Sequence, residues 1–204
     1  MLVVGFDPGK DHFAYSIVDV NDRTLIKTGM LEFTLYSLSH KPKEARYKYN
    51  AFKREVKRLL VGYAGLTPSD LVTLERMQVR PGRGMAPVEI TNIMIGAVLG
   101  VTSEICGFSL VTASTWKRAV KSNEMSFAVG NCKFCRNRKC NVNLRNKRHC
   151  SKWKNDHVFR DGLNALGIDV STDHEADAVC LACYSAQNYT GKKLLLKKLR
   201  VRGA

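Results

Sequence analysis

No stretch of the 204 residues comes near the roughly 18 to 20 uninterrupted apolar side chains that cross a bilayer, which excludes a helical membrane span. The opening Met1 to Asp7 lacks the basic start and long apolar middle of a signal peptide and reads as a strand entering the fold. The expectation is an intracellular, cytoplasmic protein, bacterial or acting in the host cell of a virus or phage. Acidic residues are scarce: 18 Asp and Glu stand against 33 Lys and Arg, a formal charge of +15. That imbalance points to a polyanionic partner, nucleic acid before membrane surface. Internal repeats are absent too, and the length suits one domain with a small insertion rather than two full domains. An even, spread set of cysteines is also missing. The seven present are clustered, which favours metal ligation in a reducing compartment over disulfides.

The positive charge is gathered in three places. Residues 41–58, 131–156 and 192–202 hold 23 of the basic residues and only three acidic ones, so the rest of the chain is net negative. Along the chain, residues 2–6, 13–18 and 24–33 read as a three-stranded meander with Asp7 at the end of the first strand. Apolar steps of three and four over 43–63 predict an amphipathic helix with a basic outer face. Residues 71–74 form a strand that delivers Glu75, followed by a loop rich in Gly and Arg. Pro87 is suited to the first position of a helix reaching about Cys106. Residues 108–112 read as a buried strand, and Ser114 as the cap of a helix from Thr115. After an aperiodic segment, Asp156 restarts a helix closed by Gly167, and 175–187 form the last helix before a basic tail. The expected class is α/β, a mixed sheet flanked by helices. Its parts are a core over 1–120, an insertion over 121–155, C-terminal core helices over 156–190 and a tail over 191–204.

Three acidic positions each end or open an element: Asp7, Glu75 and Asp177, with His174 one helical turn before Asp177. Singly, each has an ordinary reading as a turn residue, an ion-pair partner or a helix-start residue. Clustered carboxylates with few cations beside them repel one another unless divalent ions sit between them, and two such ions serve phosphodiester hydrolysis. Asp173 stands beside His174 and is a further candidate ligand.

These residues carry a resemblance. Gly5-Phe6-Asp7-Pro8-Gly9 with Tyr15-Ser16-Ile17-Val18 looks like the first motif of the RuvC Holliday junction resolvases. Leu74-Glu75 with the small residues Gly96, Ala97 and Gly100 is similar to that family's second motif, and His174-Glu175-Ala176-Asp177-Ala178 to its third. The resemblance covers about 1–118 and 156–190. It implies an RNase H-like fold and places catalytic and Mg²⁺ or Mn²⁺ binding roles on Asp7, Glu75, His174 and Asp177. It also implies a homodimer acting on four-way junctions, with Gly96, Ala97 and Gly100 offering either a dimer surface or close packing on the sheet. The loop after Glu75 departs from the family, with Met77 and Gln78 where a bacterial resolvase carries an aromatic wedge.

Cys132-x2-Cys135-x4-Cys140-x8-His149-Cys150 lies in a segment almost without apolar residues, which cannot bury a core of its own. A structural Zn²⁺ is the expected means of folding it, held by Cys132, Cys135, Cys140 and Cys150, with His149 the alternative fourth ligand. Cys106, Cys180 and Cys183 read as small buried side chains. Candidate DNA contacts are Arg76, Gln78, Arg80 and Arg83 in the loop, Lys117 ahead of the insertion, and Arg136, Arg138 and Lys139 within it. Competing functions are a flap or single-strand endonuclease of the same fold, a relative of RNA-guided transposon nucleases, and a non-catalytic DNA-binding module. An actin-like ATPase or sugar kinase is excluded by length.

Overall fold

The computed structural model describes residues 1–9, 12–32, 42–77, 85–123, 157–191 and 194–202. The N-terminal apolar alternation becomes an antiparallel meander of β1 (Leu2–Pro8), β2 (His12–Asp19) and β3 (Thr24–Glu32), in a register that sets Asp7 opposite Ala14. Strands β4 (Leu71–Arg76) and β5 (Gly107–Thr112) join in parallel on the far side of β1, each after a helical connection, as parallel pairing requires. A short β6 (Arg200–Val201) pairs with β3 and completes a mixed sheet of order β5-β4-β1-β2-β3-β6.

Period-two alternation sends successive strand residues to opposite faces, and each face is covered. On one side Val4, Phe6, Phe13, Ile17, Val72 and Leu74 pack against α1 (Pro42–Lys57) and α2 (Met85–Thr102) through Phe52, Val56, Met94 and Val98. On the other, Val3, Val18 and Val111 meet α3 (Ala113–Asn123), α4 (His157–Ala165) and α5 (Asp173–Tyr189) through Trp116, Phe159, Leu163, Val179 and Ala182. The layers are those of the expected α/β class.

Helix α5 lies on β1 with almost no separation. A Cβ built on Gly5 would stand 2.3 Å from the Ala178 carbonyl oxygen and 2.9 Å from the Ala182 nitrogen, so only glycine fits beneath the helix. The buried Ser16 hydroxyl donates to that same carbonyl at 2.8 Å, fixing the helix along the strand direction. At the other end of β1, Asp70 accepts from the Leu2 N–H at 2.6 Å and from the Thr67 N–H and hydroxyl at 2.8 Å. Burial would raise this carboxyl, but those donors and the chain's amino group outweigh it and hold Asp70 below the ordinary carboxylate value.

Several element ends differ from the sequence reading. The first long helix runs as α-helix only to Lys57 and continues as a π-helical segment, Arg58–Tyr63. Helix α2 starts at Met85, two residues before Pro87, still within the first turn, whose N–H groups have no intrahelical acceptor. Helix α3 starts at Ala113, and Thr112, not Ser114, stands before it, its hydroxyl bonded to those of Ser114 and Thr115. Strand β5 is not a buried strand: it is the sheet edge, with Phe108 and Leu110 exposed and Val111 turned into the core. The basic tail also packs, since Leu194, Leu196 and Leu199 are buried beside β6. The small-residue trio of α2 divides, with Ala97 in the core and Gly96 and Gly100 facing open space. Cys180 and Cys183 are buried in α5 as expected. Cys106 is half-buried; burial, then the Asp70 charge, push its thiol up to about 11, against a Val72 N–H that draws it down. Among the described residues no helix is long and apolar enough to cross a membrane.

Candidate active site

Three elements bring their carboxylates to one point. The parallel register of β1 and β4 pairs Phe6 with Leu74, so the next residues, Asp7 and Glu75, come side by side where the strands end. Both point to the face covered by α5, the same face as Gly5. The close docking of α5 over Gly5 then lowers its first turn toward them. Asp7, Glu75 and Asp177 offer oxygens that all lie within 4.8 Å of one another, with Asp7 and Asp177 buried and Glu75 half-buried. His174 joins through Asp7: its Nδ1 lies 2.6 Å from Asp7 Oδ2, while the ring remains about half exposed.

The start of α5 is built to hold this orientation. Thr172 accepts from the Glu175 N–H, and the Glu175 carboxylate accepts from the Thr172 and Ser171 N–H groups, a reciprocal cap. Glu175 is thereby turned away from the cluster, although it lies between His174 and Asp177 in sequence. Asp173, the open candidate ligand, faces Arg160 of α4 at 3.4 Å and stands outside the three-carboxylate group.

Among the described residues one cation stands at the cluster, in keeping with the sequence reading of few cations there. The Lys117 ammonium donates to Asp177 Oδ2, and its charge sits over the Trp116 ring at 5.0 Å. The preceding residue, Trp116, donates its indole N–H to Glu75 Oε2 at 2.8 Å. A further neighbour, His12 at the start of β2, sets its ring edge-on to His174 with centroids 4.3 Å apart. Neither Trp116 nor His12 figured among the candidate site residues. For Trp116 the only signal was its position beside Lys117 at the head of the insertion; for His12 it was a polar residue opening a largely apolar strand.

Of the candidate DNA contacts, Arg76 is exposed at the end of β4 and Lys117 lies in the cluster. Gln78, Arg80, Arg83, Arg136, Arg138 and Lys139 lie outside the described residues, as do all five zinc candidates, Cys132, Cys135, Cys140, His149 and Cys150.

No protein-family model and no curated protein sequence matches the chain. Solved structures do. The chain is similar to Thermus thermophilus RuvC in complex with a Holliday junction substrate, with a TM-score of 0.60 and 18% identity over 93% of this chain and 97% of that one. A second T. thermophilus RuvC structure matches with a TM-score of 0.58 and 18% identity over 94% and 98%. The yeast mitochondrial Holliday junction resolvase Ydc2 matches with a TM-score of 0.47 and 12% identity over 96% and 78%. The two RuvC matches span nearly the whole of both chains: the fold is RNase H-like, of the RuvC type.

Proposed function

We propose that the protein is a structure-selective DNA endonuclease that hydrolyses phosphodiester bonds in branched DNA, four-way junctions foremost, with Mg²⁺ or Mn²⁺ held by Asp7, Glu75 and Asp177 and by His174 beside them. The observation that carries this reading is the convergence of three carboxylates within 4.8 Å at the strand ends of a RuvC-type fold. The donor chemistry fits a hard divalent ion, since the cluster presents carboxylate oxygens from three separate elements within the span of one or two coordination spheres. Bound there, such ions would supply Lewis-acid activation of a water and charge neutralisation at the leaving oxygen.

The chain's own groups do the rest. Asp7 is oriented by the His174 imidazole, and Asp177 by the helix cap behind it and the ammonium of Lys117. Lys117 keeps a cation at the cluster's edge and is placed to contact the scissile phosphate. Arg76, with Gln78, Arg80 and Arg83 after it, guides the strand toward the cluster. The insertion, folded on Zn²⁺, grips a DNA arm through Arg136, Arg138 and Lys139. Resolving a junction takes two symmetric cuts and therefore two such sites, which a homodimer provides.

The test is cleavage of matched four-way, flap, single-stranded and linear substrates with Mg²⁺, with the nicks mapped. Paired nicks in the four-way substrate are expected, and a preference for flaps or single strands would move the protein to another substrate class. Asp7→Asn should abolish cutting while junction binding is kept or tightened, because a negative charge beside phosphate is removed along with a ligand. Cutting at the wild-type rate by Asp7→Asn would refute the site.

A further inference from the structure

Core packing alone does not explain why residue 116 is a tryptophan. Phe159, Val120 and Leu163 share its core cluster, and an apolar side chain of any kind would serve there as filler without a polar atom. Tryptophan brings, besides its bulk, a buried N–H, and burying that group without an acceptor is costly. Its acceptor here is Glu75 Oε2, 41 residues away in the chain and a member of the carboxylate cluster.

We propose that Trp116 is a positioning residue for the metal site: its fully buried indole fixes the rotamer of Glu75 so that the carboxylate is presented to the other two before any ion binds. The proposal rests on the metal-dependent reading of the cluster. Glutamate has three rotatable side-chain bonds and loses their freedom on binding an ion. The indole removes that cost in advance, because its own ring cannot swing. Trp116 has no solvent exposure, and its ring packs on Phe159 with centroids 5.3 Å apart. An indole is a donor only; it has no lone pair for a metal and no proton to exchange at working pH, so it orients Glu75 without competing for it. The next residue on the same helix, Lys117, reaches Asp177. One turn of α3 thus sets two of the three carboxylates, and the Trp116 contact is the rigid, uncharged one.

The test reads metal affinity apart from activity. Mn²⁺ bound at the cluster is measured by electron paramagnetic resonance of the free ion, taking as the site the part of the signal lost in Asp177→Asn. Trp116→Phe keeps the aromatic packing and removes the donor. Because the smaller ring leaves a void and threatens folding, a second protein carries 3-benzothienylalanine at position 116, which keeps the bicyclic shape and replaces N–H by sulfur. Both are expected to bind Mn²⁺ about 10- to 100-fold more weakly, the range for losing an outer hydrogen bond to a metal ligand. Phe159→Leu loosens the same packing but keeps the donor, and should lower the melting temperature with a much smaller loss of Mn²⁺ affinity than either Trp116 variant. Wild-type affinity in the 3-benzothienylalanine protein, or an equal loss in Phe159→Leu, would overturn the proposal while leaving the endonuclease reading intact. A wild-type protein with no Mn²⁺ site at all would overturn both.

Discussion

At the scale of single residues, the molecule uses its carboxylates in two opposite ways. Asp70 is a carboxylate supplied with three donors, and it ties the start of β1 to the turn before β4. Its value is depressed in the folded state, so its stabilisation is complete above the unfolded value near 3.8 and is lost as pH falls from there through the folded value. Asp70→Asn should therefore cost about 1–3 kcal/mol in urea unfolding near neutral pH. The gap to wild type should narrow as the pH is taken below about 4. A gap that stays constant down to acid would show that the charge of Asp70 contributes nothing. Asp7, Glu75 and Asp177 are the opposite case, three acids brought together with a histidine, a lysine and an indole arranged around them. Stability alone gives no reason to collect like charges in this way, which is why the cluster, rather than the well-satisfied Asp70, carries the functional reading.

At the scale of elements, the site depends on how closely α5 approaches β1, and that depends on Gly5. Gly5→Ala would drive a methyl into the helix backbone and should destabilise the fold by about 3 kcal/mol, the upper end for overpacking, with cleavage lost as Asp177 is displaced. Gly29→Ala is the control: its methyl would meet the Tyr15 side chain, hydroxyl and ring edge, at 2.9–3.1 Å and no backbone atom closer, so the loss should be smaller. Equal melting temperatures for the two variants would contradict the docking argument. This dependence also explains what was legible in sequence. The strand-end acids and the His-x-x-Asp turn were readable because each is fixed by its own element: a strand end for Asp7 and Glu75, a spacing of three for His174 and Asp177. Trp116 and His12 were not, because their contacts join α3 to β4 and β2 to α5, and no local pattern encodes such a pairing. The exposure of β5 was missed for a similar reason, since an apolar run does not say whether a strand is central or at the edge. The insertion is an element whose fold is proposed from its cysteines. Cys132→Ser with Cys135→Ser should abolish a zinc stoichiometry near one per chain. Deletion of 131–154 should weaken junction binding while leaving the melting of the core in place. Unchanged affinity after the deletion would remove DNA gripping from its role.

At the scale of the whole molecule, the question is where a net charge of +15 acts, given a candidate site lined with acids. Two of the three basic segments lie for the most part within the described residues. Helix α1 exposes Arg46, Lys53, Arg54 and Lys57, the π-helical segment exposes Arg58, and the C-terminal segment exposes Lys197, Lys198, Arg200 and Arg202. These segments meet at β3, since α1 packs against that strand and β6 pairs with it. The carboxylate cluster sits elsewhere in the sheet, at the ends of β1 and β4. On the proposed function, attraction for the phosphate backbone and repulsion at the carboxylates would thus be spatially separated, and an arm held along the β3 side would bring the backbone to the cluster without the acids supplying affinity. Binding should then be governed by counterion release. If six to ten phosphates are neutralised, junction affinity falls about 10³- to 10⁵-fold between 50 and 200 mM salt. Lys53→Gln and Lys197→Gln should each reduce the slope of log affinity against log salt by about one, equally on junction and linear duplex, because a phosphate contact carries no information about branching. Fluorescence anisotropy across a salt series measures this directly. A flat response would leave the basic segments without a role in DNA binding, and a loss confined to junctions would mean that the β3 side reads branched shape rather than backbone charge.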